Sequence, residues 1–559
     1  MRLRHALFVA LVCGAGLTCR DATAPTFPRV TSIALDPLHA LVVPGGTVQL
    51  QVVAKDAAGD SVPAGSVRWR SSDTTVAAVS ARGLVRGLSF GTMTVTATVD
   101  TLVEAASIDV VAPIDSVAMA PNGLAVVPTG RLFFTATPFD SAGDSLTGRS
   151  FVWRSSDTAV LGVTAGGAVT ARALGSAAIT ATGEDVTGTA TATVRTVTFS
   201  QLDISEFSEI CGATMDSVAF CWNETGGGGL GVGPGPDGAT PVSVATRVKF
   251  RLVTGGEGFA CGLATSGAAY CWGWNGVSRL GNGLASGTFP VPMPVVGGLT
   301  FTTLTSGHSH TCGLTSTGDA YCWGSNGYGD LGTGTAESQD ATPVAVTGGI
   351  KFRTISAGVY VTCGLAVDST AYCWGYNYKG QLGVGDSANR NVPTAVAGGL
   401  RWASLLTASE HACGIATTGV AYCWGNNFYG ALGTGDTTSS PVPVPVTGGL
   451  TFTSISPGGD HGWNDNTCAI TDAGAAYCWG YNAEGELGDG TTTEQRSPTP
   501  VSGGLTWSFI VAGGYATCGI TTTRVTYCWG WNTFPLVGGL AVGSAIANVT
   551  VPTRVVGQP

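Results

Sequence analysis

Charged residues are scarce in this chain of 559 residues. They form 11% of it, against about 25% in ordinary soluble domains. The 26 basic and 36 acidic side chains give a net charge of −10, so we expect no broad basic surface for nucleic acid or an anionic membrane. Beyond its N-terminal segment, the sequence also has no uninterrupted run of the roughly 18 apolar residues that a membrane helix requires. We therefore expect no membrane-spanning helix in the mature protein.

The abundant residue types narrow the class of protein further. Hydrophobic residues make up 44% of the chain, which excludes intrinsic disorder. Glycine contributes 84 residues, but without the every-third-residue period of collagen. At about 150 residues per domain, the length predicts two to four domains.

The N-terminal segment has the pattern of an export signal. Two arginines and a histidine at positions 2–5 precede an apolar run over 6–17. We interpret residues 1–19 as a secretory signal segment. Its end, Gly-Leu-Thr-Cys, resembles a bacterial lipobox, although leucine stands two rather than three places before Cys19 and threonine is adjacent to it. Lipidation of Cys19 and ordinary cleavage nearby are both consistent with this segment.

A linker at residues 20–28 leads into two copies of one unit. The stretch Trp-Arg-Ser-Ser-Asp-Thr occurs at 69–74 and again at 153–158, an offset of 84 residues. Short alternating strands with regular turns predict a β-sandwich in each copy. The units, residues 29–111 and 113–196, resemble the bacterial Ig-like group 2 domain in this stretch and in a later Val-Ser-x-x-Gly-Leu-Val. The resemblance implies spacers or adhesive units without catalytic residues.

From residue 198 onward a second unit occurs seven times at intervals of 50 to 55 residues. Seven repeats of this length, each with about four short strands, predict a β-propeller. In the third repeat we expect strands at 301–304, 311–315, 320–323 and 342–346.

Residues 198–559 resemble the regulator of chromosome condensation (RCC1) family of seven-bladed propellers. The shared motif Trp-Gly-x-Asn-x-x-Gly-x-Leu-Gly is intact in four repeats and altered in the copies that begin at Trp222, Trp272 and Trp529. The predicted fold class is therefore all-β, with two Ig-like β-sandwiches followed by a seven-bladed β-propeller. The nuclear nucleotide-exchange activity known in the family is not expected, because the export signal places this chain in a different compartment.

Fourteen of the 16 cysteines fall into seven pairs with the same spacing of ten residues. A hairpin places such residues opposite each other on neighbouring strands, within disulfide range, and export provides an oxidising compartment. We predict one disulfide per blade; the alternative is seven pairs of reduced core cysteines. The pairs are Cys211 and Cys221, Cys261 and Cys271, Cys312 and Cys322, Cys363 and Cys373, Cys413 and Cys423, Cys468 and Cys478, and Cys518 and Cys528.

The candidate binding residues lie where strands leave the blades. The variable position of Trp-Gly-x-Asn is aromatic in four repeats, at Trp274, Tyr376, Tyr481 and Trp531. These rings either form a rim that binds a protein or a glycan, or they pack against the adjacent blade. The longest repeat carries an insertion with His461 and Trp463, which is a second candidate contact.

The sequence offers little support for a metal site or for catalysis. His308 and His310 could chelate a metal, but such a pair is also typical of a strand-end turn. Asp386, Asp436 and Asp489 follow Leu-Gly turns and supply one carboxylate each, fewer than the clustered oxygens that calcium needs. A serine or cysteine nucleophile with matching His and Asp is not recognisable. We therefore expect no cofactor, no metal and no catalytic residue.

Together these features predict a non-catalytic, exported binding or scaffold protein, secreted or attached to the cell envelope as a lipoprotein. We expect a monomer that binds a protein or glycan at one propeller face, does not bind nucleic acid, and contacts a membrane only through a lipid anchor. Two alternatives are an inhibitor of a secreted enzyme and a carbohydrate-active enzyme or lectin built on the propeller.

Overall fold

A computed structural model of the chain describes residues 29–205, 209–223, 229–232, 240–336, 339–460, 464–532, 539–543 and 546–559. The predicted signal segment, the linker, Cys19, His461 and Trp463 lie outside these residues. Every regular element among them is a β-strand, which confirms the all-β fold class. The same residues contain no helix that is long and apolar enough to cross a membrane.

The first Ig-like module has ten strands in three sheets, ordered β1-β4-β5, β2-β10-β9-β6 and β3-β8-β7. Alternate side chains of the long strands point inward, so Val95, Ala97 and Ile108 are fully buried. The strands are β1 (Ser32–Asp36), β2 (His39–Val42), β3 (Thr47–Gln49), β4 (Gln51–Lys55), β5 (Ser61–Val62), β6 (Arg68–Ser71), β7 (Ala77–Val79), β8 (Leu84–Gly87), β9 (Gly91–Val99) and β10 (Leu102–Val110).

The second module repeats this arrangement, with Trp153 packed against its core as Trp69 is in the first. Its strands are β11 (Ser116–Ala120), β12 (Leu124–Val126), β13 (Arg131–Phe133), β14 (Thr135–Phe139), β15 (Val152–Ser155), β16 (Leu161–Val163), β17 (Ala168–Ala171), β18 (Gly175–Gly183) and β19 (Val186–Val194). The chain divides into two compact units, and Ser116–Phe139 belongs to the same unit as Thr147–Pro559. Most of the second module therefore forms one unit with the propeller.

Each blade in the described residues is built from four consecutive antiparallel strands; six blades are separate sheets, and the first is one half of an eight-stranded sheet. The first four blades contain β20 (Phe199–Ile204), β21 (Ile210–Thr214), β22 (Ala219–Trp222) and β23 (Val242–Ser243); β24 (Phe250–Gly256), β25 (Phe259–Ala264), β26 (Ala269–Trp274) and β27 (Thr288–Pro294); β28 (Thr303–Ser306), β29 (His310–Leu314), β30 (Ala320–Ser325) and β31 (Gln339–Ala345); and β32 (Phe352–Ala357), β33 (Val361–Ala366), β34 (Ala371–Gly375) and β35 (Arg390–Ala395).

The last three blades continue the pattern, and the observed strands of the third repeat lie within three residues of the predicted ones. The innermost strand of each blade contacts that of the next, and β44 contacts β20, so the ring is closed. These blades contain β36 (Trp402–Thr407), β37 (His411–Ala416), β38 (Ala421–Gly425) and β39 (Ser440–Pro445); β40 (Phe452–Gly458), β41 (Asn466–Thr471), β42 (Ala476–Gly480) and β43 (Gln495–Pro500); and β44 (Trp507–Ala512), β45 (Ala516–Thr521), β46 (Thr526–Trp531) and β47 (Asn548–Arg554).

A disulfide joins the two middle strands of each blade. Within the described residues all seven cysteine pairs are bonded, and the partners stand directly opposite each other in the strand register, with Cα atoms 4.0–4.1 Å apart. The cysteines are almost completely buried, because both faces of a blade are covered by its neighbours. Disulfides of this number are typical of an oxidising, extracytoplasmic environment.

The repeated motif is an interblade contact. The Trp374 indole N–H donates a hydrogen bond to the carbonyl oxygen of Asp330 in the preceding blade at 2.9 Å. Gly332 lies beneath the same ring, with φ +68°, and a Cβ there would come within 2.8 Å of the indole nitrogen. Asn326 fixes this loop, because its side-chain oxygen accepts a hydrogen bond from the N–H of Leu331 at 3.0 Å. The spacing of the motif thus encodes a loop that receives the tryptophan of the next blade.

Hydroxyl groups on the innermost strands form a second interblade bond. In four places a hydroxyl oxygen accepts a hydrogen bond from a backbone N–H of the next blade at 2.9–3.1 Å. At the fifth blade the equivalent residues are Leu406 and Pro457, so acceptor and donor are lost together. The bonded pairs, acceptor first, are Thr254 and Ser306, Thr305 and Ala357, Ser356 and Thr407, and Ser456 and Ala512.

The second Ig-like module continues the sheet of the first blade. Strand β12 pairs with β23, with Val126 opposite Val242, and the Ala125 N–H donates to the Ser243 hydroxyl at 2.7 Å. Val242 is also part of the module's own core. Besides the spacer or adhesive role that the resemblance implies, the module covers the outer edge of a blade. An uncovered edge strand would expose unpaired backbone groups.

The chain segment between module and propeller lies against the C-terminal segment. The Val197 N–H donates to the carbonyl oxygen of Gly557 at 2.8 Å. Val127 of the second module is fully buried in the hydrophobic cluster that joins the first and last blades. Arg195 forms two hydrogen bonds with the Asp216 carboxylate at 2.8 and 2.9 Å, and these hold the pKa of Asp216 well below its usual range. The second module therefore supports the seam where the ring closes.

We expect Val127→Ala to destabilise the propeller by about 2 kcal/mol, because the substitution removes two buried methyl groups at the ring seam. Val103→Ala is the control, since Val103 lies in the first module with 59% of its surface exposed. Urea unfolding followed by tryptophan fluorescence measures the difference. Equal midpoints for the two variants would show that the module does not support the seam.

Candidate functional site

The loops between first and second strands and the ends of the third strands lie at the same end of every blade. Backbone hydrogen bonds join the two sets: the Tyr376 N–H donates to Tyr360 O at 2.8 Å, and the Tyr481 N–H donates to Asp465 O at 2.9 Å. Trp274 and Trp531 occupy the equivalent positions in their blades. All four predicted rim aromatics therefore share one end of the propeller, which we call the loop face.

Exposed aromatic rings are concentrated on this face. Trp274 is 42% exposed, as expected for a rim that binds a partner. Tyr376, Tyr481 and Trp531 are partly buried, as expected for rings that pack against the adjacent blade. Tyr378 and Phe428 are 69% and 66% exposed. The sequence reasoning missed these two, although both directly follow the motif asparagine, a variable position at the tip of the loop.

Tyrosines from neighbouring blades form a contiguous group. The Tyr328 ring lies 5.0 Å from that of Tyr360 and 4.8 Å from that of Tyr376, between ring centroids. Tyr376 in turn stacks with Tyr378 at 6.4 Å. Because the rings hold one another in place, they offer a surface that is already ordered before a partner binds.

An arginine of the second blade is held within the loop face. The Arg279 guanidinium lies 4.3 Å from the Trp274 ring and 3.4 Å from a carboxylate oxygen of Glu257. Nε2 of His308 lies 3.1 Å from the same carboxylate. Burial lowers the pKa of Arg279, and Glu257 opposes this effect. The altered motif of the second blade therefore places the cation of Arg279 next to both an aromatic ring and an acid.

Two carboxylates converge on the opposite side of the same face. The Asn426 side-chain NH₂ donates to Glu410 at 3.1 Å and to Asp465 at 2.9 Å. Burial raises the pKa of Glu410, and the nearby charge of Asp465 adds to the effect. Tyr429 and Tyr481 stand beside this pair, with ring centroids 5.0 Å apart.

The two histidines of the predicted pair, His308 and His310, have different structural partners. His310 Nε2 lies 2.8 Å from the Thr362 hydroxyl, and burial lowers the pKa of His310 to about 3. His308 instead faces Glu257, so the two rings of the predicted pair do not share a partner. The part of the chain that the structure describes holds no cluster of three metal-ligating side chains.

The predicted aspartate turns are closed by their own backbone. The Asp386 carboxylate accepts from the Ala388 N–H at 3.0 Å and forms an ion pair with Arg390. Asp436 and Asp489 accept in the same way from N–H groups two residues later, at 3.0 and 2.8 Å. Each of these carboxylates therefore stabilises its own turn, as aspartate commonly does.

The central channel is narrow. Its end near the loop face encloses a cavity of about 180 Å³, lined by the ends of the innermost strands. The Ser356 hydroxyl there already accepts from the Thr407 N–H of the next blade, whereas the Thr407 hydroxyl has no hydrogen-bond partner. Asp203 also lines the cavity; burial raises its pKa to about 6, while the Gly255 N–H, at 2.8 Å, opposes the shift. The loop face therefore offers far more surface to a partner than the channel does.

Two buried carboxyl groups lie in the interblade loops. Burial raises the pKa of Asp330 to about 7 and that of Glu486 to about 8. One Glu486 oxygen accepts from the Glu484 N–H at 3.0 Å, and the other has no hydrogen-bond partner. Gln381 occupies the equivalent place in the fourth blade and accepts from the Lys379 N–H at 2.9 Å, so an amide fits this position.

We expect the stability of the protein to fall as the pH rises from about 5 to 8, in part because folded Glu486 keeps a proton that the unfolded chain releases. Glu486→Gln removes this contribution, so the free energy of unfolding of the variant should fall by about 1 kcal/mol less per pH unit than that of the wild type. Urea unfolding at several pH values tests this. Glu484→Gln is the control, and parallel pH dependences for Glu486→Gln and the wild type would contradict the prediction.

Comparison with known proteins identifies the same two families that the motifs indicate. Residues 218–558 match the RCC1-like domain, and residues 29–110 and 113–194 match the bacterial Ig-like domain (group 2). The chain is 30% identical to the ultraviolet-B receptor UVR8 of Arabidopsis thaliana over 289 residues, 51% of this chain and 66% of the receptor. It is also 30% identical to the mitochondrial RCC1 domain-containing protein RUG3 of the same plant, over 31% of this chain and 41% of that protein.

Solved structures show the same propeller fold. Human WBSCR16 superposes with a TM-score of 0.54 at 20% identity, over 60% of this chain and 93% of that one. Yeast RCC1 (Prp20), bound to Kap60, gives 0.53 at 19% identity, over 60% and 83%. The matches to the two plant proteins span less than two thirds of either relative. The family match covers most of this chain, and the protein belongs to the RCC1-like domain family, with two bacterial Ig-like domains before its propeller.

Proposed function

We propose that this is an exported protein whose seven-bladed propeller binds a protein partner through the loop face and catalyses no reaction. The observation that carries the proposal is the concentration of exposed aromatic rings on that face, including Trp274, Tyr378 and Phe428. Large aromatic side chains contribute much of the binding energy at protein interfaces. Mutual ring contacts also reduce the entropy lost when such a surface is covered.

The arrangement of acids and histidines favours binding over catalysis. A lyase or hydrolase on this propeller would need an acid and a histidine that touch the substrate together. His411 lies beside Asp465, with Nδ1 3.5 Å from a carboxylate oxygen, but both side chains are fully buried. In the second pair, His308 lies 3.1 Å from Glu257, but His308 is nearly buried and Glu257 is engaged by Arg279. An inhibitor of a secreted enzyme would use the same loop face and is the more specific form of this proposal.

Export is supported by two independent features of the chain. The basic and then apolar N-terminus has the composition of a signal segment. The seven disulfides fit an oxidising compartment, and the bacterial Ig-like domains agree with such a location. Lipidation at Cys19 would tether the protein to the cell envelope.

The binding role predicts that changes on the loop face abolish capture of a partner from the cell envelope or the culture medium. Combined Trp274→Ala, Tyr378→Ala and Phe428→Ala should reduce the captured amount at least tenfold, because each removes an exposed ring. Val367→Ala is the control, since this valine is 66% exposed on a turn at the other end of a blade. Capture that is unaffected by the triple substitution would reject the loop face as the binding surface.

Lipidation predicts that the wild-type protein incorporates a fatty-acid analogue in a bacterial host with a lipoprotein pathway. Cys19→Ala should lose the label and leave the protein in the soluble fraction. Cys13→Ala serves as the control, because Cys13 lies within the apolar run of the signal segment. An unlabelled wild type would leave secretion by ordinary cleavage as the form of export.

A further inference from the structure

We propose that the central cavity near the loop face binds a primary ammonium group through the carboxylate of Asp203. A lysine side chain of a protein partner and a small free amine both carry this group, so they are two sources of one chemistry. The inference goes beyond the proposed function, because the cavity can bind an amine whether or not the loop face binds a protein.

One residue from each innermost strand lines the cavity at an equivalent position. Each of these seven residues stands opposite the first disulfide cysteine of its own blade in the strand register. In blade order they are Asp203, Thr254, Thr305, Ser356, Leu406, Ser456 and Val511. Among these seven described positions, the first blade alone carries a charged side chain.

The structural role of this position does not require a charge. Oδ2 of Asp203 accepts a hydrogen bond from the Gly255 N–H of the next blade at 2.8 Å. Hydroxyl groups accept the same bond at four of the other positions, as Thr254 does from the Ser306 N–H at 2.9 Å. A hydroxyl would avoid the cost of burying a carboxylate, and this burial raises the pKa of Asp203 to about 6. The carboxylate therefore serves the cavity rather than the contact between blades.

No cation of the described residues forms an ion pair with Asp203. Its pKa shift comes from burial and hydrogen bonds, without a contribution from a neighbouring charged group. Among the described residues that line the cavity, His308 is the one other ionisable side chain, but its Nε2 lies 3.1 Å from Glu257 and its ring packs against Tyr360. A carboxylate in such a partly enclosed site attracts a positive charge, because little water screens it.

The hydrogen bonds of Asp203 favour an ammonium group over a guanidinium group. The Gly255 N–H, the Thr254 hydroxyl and the Ile204 N–H already donate to the carboxylate. A carboxylate has about four acceptor positions, so about one remains. One N–H of an ammonium group can use that position, whereas the planar fork of arginine needs two parallel bonds.

The rest of the cavity suits the aliphatic stem of an amine. Leu406 of the fifth blade lies across the ring from Asp203, and Val359 and Pro457 of the adjacent blades also line the cavity. Its volume is about 180 Å³, and a cavity of about 150 Å³ can hold benzene. A butyl chain with an ammonium group therefore fits.

Small residues border the cavity toward the loop face. Two residues after the seven equivalent positions, the strands carry glycine in five blades, alanine in one and serine in one, and all of these line the cavity. At Gly307 and Gly358 a Cβ would collide with a carbonyl oxygen of the next blade. The entrance is therefore formed by backbone, and large side chains do not narrow it at these positions.

A second polar group of the cavity wall has no partner. Thr407 lines the cavity, and its buried hydroxyl makes no hydrogen bond in the described residues. At the equivalent position the Ser306 hydroxyl lies 3.3 Å from that of Thr311, but Ala412 stands opposite Thr407. Buried hydroxyls are normally satisfied, so this one also indicates a polar occupant of the cavity.

The amine n-butylamine tests the site, with n-butanol as the neutral molecule of similar size. We expect the full protein to bind butylamine at neutral pH in an NMR titration, and to bind butanol at least tenfold more weakly. Asp203→Thr keeps a hydroxyl acceptor for the Gly255 N–H, as Thr254 does in the next blade, and should weaken butylamine binding at least tenfold. Asp472→Asn removes a charge from an exposed turn at the other end of the sixth blade and should leave binding unchanged.

Three results would overturn the inference: no binding of butylamine by the wild type, equal binding of butylamine and butanol, or undiminished binding by Asp203→Thr. Urea unfolding adds a readout of the structural role. Asp203→Thr should be at least as stable as the wild type, because the bond between blades remains and a buried carboxylate is removed. A destabilised variant would show that the carboxylate serves the ring itself and would count against the inference.

The captured partner distinguishes the two sources of the amine. If excess butylamine releases the partner and Asp203→Thr prevents its capture, the ammonium group belongs to a lysine of the partner; if capture survives both, the ligand is a free amine. The loop-face triple variant should still bind butylamine, because Trp274, Tyr378 and Phe428 do not line the cavity. Failure of the proposed function is therefore distinguishable from failure of this inference.

Discussion

Each blade depends on the contact between its tryptophan and the loop of the blade before it. The indole ring covers a glycine that has no side chain, and the indole N–H donates to a carbonyl oxygen of the loop, which at Asp330 also accepts from the Thr362 hydroxyl at 2.8 Å. The same bond recurs from Trp424 to Gln381 and from Trp529 to Glu486, at 3.0 and 2.8 Å. Where the motif changes at Arg279, the Trp323 N–H has no hydrogen-bond partner. Within the described residues the Trp222 N–H also has no hydrogen-bond partner, so the bond recurs around most of the ring but is missing at these two tryptophans.

Contacts between residues of the same repeat can be predicted from the sequence. The spacing of Cys312 and Cys322 indicates a hairpin, and the structure places the two residues opposite each other. The repeated motif is visible in the sequence, and the structure shows that its asparagine holds the interblade loop, as Asn326 does. In these cases the interacting residues are close in the chain or recur with the same period.

Contacts between different repeats could not be predicted in the same way. Glu410 and Asp465 approach each other only because neighbouring blades stack, and neither residue stands at a motif position. The pairing of β12 with β23 is equally hidden, since Val242 and Ser243 form a strand of two residues with no periodic signal. The sequence therefore did not predict this pairing, because the edge strand of the second module finds its partner in a distant part of the chain.

Because β12 continues the sheet of the first blade, the orientation of the second module relative to the propeller is fixed. Two modules on a flexible linker lose rotational freedom when a partner touches both or when one must turn to expose its binding surface. Here that freedom is already lost during folding. A partner that contacted both would therefore not lose this freedom on binding, so its association would cost less conformational entropy.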